Sequence, residues 1–230
     1  MNILKSTSRG IYELEWLSSR FSFSFAEYYN PHRMGFGALR VLNDDIISPG
    51  KGYGMHPHRD MEIITIPLSG SLFHEDSMGN KGIVQTGEIQ VMSAGTGVEH
   101  SEINASSTDP LCLFQIWILP HTQGVTPRYA QKAITYGQNT FTDLVSGDTR
   151  SDTLFINQEA TISIGRFDEG EKIEISASEG KGCFVMIVEG TLLQGAVTLS
   201  TRDSFEIVSP KTIKTVAIGP TTLLKIEVPE

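Results

Sequence analysis

The chain has 230 residues, 39% of them hydrophobic, with 18 Lys and Arg against 27 Asp and Glu, a net charge of −9 at pH 7 and a pI near 5.2. That is enough chain for one large domain or two small ones, and its negative field repels a phosphate backbone, so direct nucleic-acid binding is excluded as an expectation. No apolar stretch reaches the ~18 residues of a membrane span, residues 1–10 lack an apolar signal core, and Cys112 and Cys183, both in apolar runs, make no disulfide framework; a cytoplasmic protein is expected.

In chain order, residues 11–17 carry the only helical periodicity, a turn or two at most. Runs of β-branched, aliphatic and aromatic residues predict strands at 38–42, 62–68, 89–92, 113–119, 162–167, 184–188, 213–218 and 223–228. Many short strands bounded by Gly, Pro, Asn or Asp indicate a sandwich or barrel. Residues 78–82, Met-Gly-Asn-Lys-Gly, predict a hairpin turn, and His74 just before them reads as a surface or hairpin residue. The polar stretch 138–152 reads as a linker or an inter-barrel crossing. It would divide the chain into a first domain, 1–137, and a second, 138–230.

Two strings carry chemistry: His56-Pro57-His58 and His100-Ser101-Glu102. Residues i and i+2 of a strand face the same way, so each string can aim two ligands at one point. Three imidazoles and a carboxylate suit a divalent first-row metal rather than calcium or magnesium, which want oxygen alone. Around the first string the pattern is Gly50-x5-His56-x-His58-x3-Glu62, with Gly70 following. This resembles the first motif of the cupin superfamily, one residue long at its last glycine. Gly95-Thr96-Gly97, then His100 and Asn104, resembles the second motif, with Gly95 where proline is usual and two extra residues after Gly87. Two carboxylates compete for the site: Glu102, and Glu62, which by strand parity shares a side with His56 and His58.

The chain also repeats itself. Gly50 and Gly70 bracket the first motif, and Gly170 and Gly190 bracket a similar segment, in which His56 corresponds to Ser176, His58 to Ser178 and Glu62 to Gly182. No histidine follows His121. The C-terminal half therefore reads as a second barrel without metal ligands.

The run Phe21-Ser22-Phe23-Ser24-Phe25-Ala26-Glu27-Tyr28-Tyr29-Asn30-Pro31, then Leu39-Arg40-Val41-Leu42-Asn43-Asp44-Asp45, His56-Pro57-His58-Arg59-Asp60-Met61-Glu62 and Met92-Ser93-Ala94-Gly95-Thr96-Gly97, resembles the pirin family. The resemblance is dense over the first half and a pattern only in the second. It implies an all-β bicupin, two β-barrels packed together in a monomer, with one divalent metal in the N-terminal barrel. That metal would be iron, with nickel, copper, manganese, cobalt or zinc able to substitute. Its ligands would be His56, His58, His100 and Glu102, leaving Glu62 to orient an imidazole. It further implies quercetin 2,3-dioxygenase activity on a polyphenol and dioxygen, with Glu102 as the catalytic base and Phe21, Phe23, Phe25, Met55 and Phe114 as candidate walls. The alternative is a metal-bearing, redox-responsive protein that regulates a transcription factor or enzyme partner without turnover.

Overall fold

The computed structural model describes residues 2–149, 152–208 and 211–230. The chain opens with β1 (Asn2–Leu4) and a short 3-10 turn, Ser6–Ser8, followed by β2 (Gly10–Glu13), β3 (Leu17–Phe21), β4 (Leu39–Ile47), β5 (Gly52–His58), β6 (Glu62–Ser69) and β7 (Ser71–Asp76). Next come β8 (Lys81–Gln85), β9 (Glu88–Ser93), β10 (Val98–Asn104), β11 (Leu111–Ile118) and β12 (Arg128–Ala133). The second half carries β13 (Thr140–Ser146), β14 (Leu154–Phe155), β15 (Thr161–Phe167), β16 (Lys172–Ala177) and β17 (Lys181–Glu189). It closes with β18 (Thr191–Gln194), β19 (Val197–Ser200), β20 (Ser204–Ile207), β21 (Lys211–Ala217) and β22 (Thr221–Pro229).

Two compact units result, each with one seven-stranded and one four-stranded sheet among the described residues. In the first unit, Gly10–Ile134 with Ile156–Gln158, the sheets run β12-β9-β6-β11-β4-β3-β2 and β5-β10-β7-β8. In the second they run β1-β20-β17-β22-β15-β13-β14 and β16-β21-β18-β19. Substituting β20 for β9, β17 for β6, β22 for β11 and β15 for β4 converts the four consecutive inner strands of the first large sheet into those of the second, as the glycine frame requires. Gly50, Gly70, Gly170 and Gly190 all have positive φ (+64°, +84°, +82° and +101°), so the spacing marks equivalent turns. The fold is the bicupin.

In place of one boundary at 137/138, the chain passes between the two units four times, after Arg9, Ile134, Phe155 and Gln158. β1 pairs antiparallel with β20, Asn2 opposite Glu206 and Leu4 opposite Ser204, so the first residues belong to the C-terminal unit. Asp203 fastens the following turn, accepting from Lys5 Nζ and the Ser6 N–H, both at 2.8 Å. Residues 138–152 are not a linker: β13 lies there and pairs with β15, while Arg150 and Ser151 lie outside the described residues.

Residues 11–17 are not helical. Leu14 and Leu17 exchange backbone hydrogen bonds that close a β2–β3 hairpin, and Ile11, whose apolar side chain suggested a helical face, is 63% exposed. The hairpin turn between β7 and β8 forms as read, with Gly79 at φ +93° and the Asp76 carboxylate accepting from the Met78 and Asn80 N–H groups. The N-terminal unit's core includes Leu17, Ile47, Leu72, Val84, Leu111 and Leu113, with a second cluster of Ile63, Met92, Ala94 and Val98 against Trp117. Burying each large aliphatic side chain stabilises by about 1.5–3 kcal/mol.

Candidate metal centre

The two histidine strings face each other across one antiparallel ladder. β10 pairs with β5 so that His100 stands opposite His56, and the register then shifts so that Glu102 stands opposite Tyr53. This bulge gives β5 one extra residue, which is why Tyr53 and His56, three apart, both line the cavity. Gly52 accommodates the close approach: at φ +156°, a Cβ there would lie 2.1 Å from the Glu102 carbonyl oxygen.

The three imidazoles gather. Ring centroids are 4.4 Å apart for His56 and His100, 4.8 Å for His56 and His58, and 4.9 Å for His58 and His100. His56 Nδ1 sits 2.7 Å from the Gly54 carbonyl oxygen, to which it donates, leaving Nε2 with a free lone pair. Burial holds His58 at a pKa of about 4 and His100 at about 2, with neighbouring imidazoles adding to both shifts. Both are thus neutral and able to coordinate at pH 7.

His100 is 1% exposed, and neither ring nitrogen has a hydrogen-bond partner. Leaving buried polar atoms unpaired costs about 1–3 kcal/mol each, so this ring is built for a ligand that the protein itself does not supply. A divalent metal between His56, His58 and His100 fits that requirement and the donor chemistry.

Glu102 is placed differently from the histidine trio. Its carboxylate groups with His100 and His74, and not with His56 and His58. It accepts from Gln115 Nε2 at 2.6 Å and from Thr65 Oγ at 3.1 Å, and burial pushes its pKa up to about 7. The donors come from a polar row across the large sheet: Asn43, Gln115, Thr65 and Gln90 stand side by side on β4, β11, β6 and β9, and all are buried. Only the strand order brings these four together, so no signal within any one strand marks the row.

Glu62 does not orient an imidazole. It is fully buried, its carboxylate accepts from Ser93 Oγ at 2.6 Å, and it groups with no histidine. The parity argument fails because Asp60, at φ +47°, breaks the chain between β5 and β6, which lie in different sheets. On β6 the cavity sees Ile63 instead.

His74 lies in the β7–β8 hairpin, opposite Gly82, but is not a surface residue. β7 buries Leu72, His74 and Asp76 in alternation, so His74 is 0% exposed, with Nε2 3.1 Å from Asp76 Oδ2 and its ring stacked on Tyr129 at 4.6 Å. Of the five expected wall residues only Phe25 lines the cavity. Phe21, Phe23 and Phe114 are core, and Met55 is 55% exposed. Trp117, Tyr53, Asn43 and Asp45 line it instead.

Residues 4–118 match the family model described as Pirin, and residues 144–228 match the quercetinase C-terminal cupin domain. A protein named quercetin 2,3-dioxygenase from Escherichia coli (strain K12) is 41% identical over 98% of this chain and 97% of its own. The crystal structure of YhhW from Escherichia coli superimposes with a TM-score of 0.94 at 40% identity, over 99% of this chain and 97% of that one. The structure of bacterial pirin YhhW in complex with nickel(II) gives 0.93 at 40% identity, over 99% and 98%.

Proposed function

Because the chain belongs to the pirin family, we propose that it is a metal-dependent dioxygenase that opens the central ring of flavonols such as quercetin and releases carbon monoxide. The observation that carries this reading is the His100 ring, buried with both nitrogens unpartnered, beside the buried Glu102 carboxylate. His56, His58 and His100 would hold the ion, with Glu102 as the carboxylate ligand on the strand of His100; iron is the metal proposed. When bound, the ion supplies Lewis acidity that favours ionisation of the substrate's 3-hydroxyl.

Glu102, buried beside His100, takes the proton from that hydroxyl as the general base. Thr65 and Gln115 hold the carboxylate in place through the hydrogen bonds described above. The substrate anion is then the electron-rich partner of dioxygen. The C2–C3, C3–C4 and O–O bonds break, one dioxygen oxygen ends on C2 and the other on C4, and C3 leaves as carbon monoxide. The electrons that reduce dioxygen come from the two broken carbon–carbon bonds. The reaction belongs in the cytoplasm, in keeping with Cys112 and Cys183 both being free thiols.

The test is protein reconstituted anaerobically with iron(II), then given quercetin and air, with carbon monoxide and bound metal measured together. Carbon monoxide in proportion to bound metal is the expected result. A metal-loaded protein that releases none from any flavonol or smaller hydroxyketone overturns the reading and favours the regulatory alternative.

A further inference from the structure

A metal ion satisfies only one nitrogen of an imidazole, so coordination leaves His100 with a buried N–H that still needs an acceptor. His56 has no such need, because its Nδ1 already donates to the Gly54 carbonyl oxygen. Across the β10–β7 ladder His100 stands opposite Asp76, and Glu102 opposite His74. Asp76 is not free to take the proton of His100. Its Oδ1 accepts from the Met78 and Asn80 N–H groups, and its Oδ2 from Asn80 Nδ2 at 2.9 Å and from His74 Nε2 at 3.1 Å.

His74 has the complementary need. With Nε2 donating to a carboxylate, its Nδ1 is a bare acceptor, and that atom is buried without a partner. Glu102 cannot serve it, because an ionised carboxylate has no proton to give. The His74 ring is fixed from two sides, by Asp76 at Nε2 and by Tyr129 stacked on its face at 4.6 Å. Its centroid lies 5.5 Å from that of His100, a spacing across which two imidazoles can meet nitrogen to nitrogen. An orphaned acceptor thus lies next to the ring that gains an orphaned donor on binding metal, and each left alone costs about 1–3 kcal/mol.

We propose that His74 is a positioning residue of the metal centre: its Nδ1 accepts the N–H of metal-bound His100, so that Asp76, His74 and His100 form one hydrogen-bonded line ending at the ion. The proposal rests on the reading of His100 as a ligand and deepens it by naming what orients that ligand. Asp76 fixes the tautomer of His74. The bond from His100 to His74 then fixes the His100 ring and makes it a stronger electron donor to the metal.

Nuclear magnetic resonance of zinc(II)-loaded wild type with isotopically labelled histidine tests the bond without any substitution. The expected signature is scalar coupling between a ring nitrogen of His100 and Nδ1 of His74 through one shared proton, lost when the metal is removed. In chelator competition for nickel(II), His74→Leu, which offers no acceptor, loses about 10- to 100-fold in affinity. His74→Asn, whose side-chain oxygen can stand where Nδ1 does, regains most of that loss. Asp76→Asn must keep its oxygen on the Met78 and Asn80 N–H groups, so its NH2 faces Nε2, forces the other tautomer on His74 and weakens nickel binding into the range of His74→Leu. Zinc-loaded wild type without the coupling overturns the proposal, as does His74→Asn binding no better than His74→Leu, the result of a purely structural role. A wild type that takes up no metal overturns the metal centre and the proposal together. Metal lost in His100→Ala yet held at wild-type affinity in His74→Leu overturns the proposal alone.

Discussion

Asp45 offers a quantitative test of the cavity's electrostatics in the metal-free protein. Its carboxyl is 1% exposed, and burial raises its pKa from 3.8 to about 6 against the opposing hydrogen bonds from Ser19 and Tyr53. Below pH 3.8 the group is protonated in both the folded and the unfolded chain and contributes no pH dependence. As pH rises, the unfolded chain ionises first, and above pH 6 the native state must hold a buried charge. The shift of about 2 units, at 1.36 kcal/mol each, destabilises the native state by about 3 kcal/mol at pH 8. Asp45→Asn removes the charge and keeps an oxygen for Ser19 and an N–H able to donate to Tyr53. The substitution should therefore leave stability nearly unchanged at pH 4 and raise it by up to about 3 kcal/mol at pH 8. Urea unfolding followed by tryptophan fluorescence measures this cleanly, because Trp16 and Trp117, the only tryptophans, both lie in the N-terminal unit. A difference between the two proteins that does not grow with pH, or a variant less stable at pH 8, would refute the reasoning.

Glu102→Gln keeps an oxygen for Gln115 or Thr65 but loses the charge and the basicity, so turnover per bound metal should fall by about 100- to 10,000-fold while metal remains detectable; equal activity per metal ion would show that Glu102 is not the base. His100→Ala removes the ring whose nitrogens lack partners, and elemental analysis after reconstitution should find little metal. Glu62→Gln should leave metal affinity within about twofold by competition with a chelator, because its carboxylate serves Ser93 and no imidazole; a loss of about 10- to 100-fold would restore it to the metal's surroundings. Gly52→Ala forces a Cβ against the Glu102 carbonyl at φ +156°, and a fall in melting temperature together with weakened metal binding should report the disturbed bulge.

The ligand strings were legible because HxH and HxE within single strands obey a period of two, and both strings stay within β5 and β10. Parity failed wherever the backbone departed from it. Asp60's positive φ ended β5 before Glu62 could share its face, and the bulge opposite Glu102 added Tyr53 to the cavity. β7 inverted the usual pattern by burying His74 and Asp76 and leaving the apolar Phe73 only partly covered on the other face, so a hydrophobicity-based reading put His74 outside. The row of Asn43, Gln115, Thr65 and Gln90 was invisible for a different reason: its members are far apart in sequence, and only strand order makes them neighbours. The glycine frame disclosed the second barrel but not the ownership of β1, because a three-residue strand carries too little pattern to name a partner some 200 positions away.

That ownership bears on how the chain is made. β1 is synthesised well before its partner β20, so it must wait through the whole N-terminal barrel before its pairing groups are satisfied. The N-terminal barrel is in effect an insertion carried between two parts of the other unit. A bulky tag fused ahead of Asn2, or removal of the first few residues, should thus weaken the distant C-terminal barrel while the histidine-bearing barrel beside it in sequence keeps its fold.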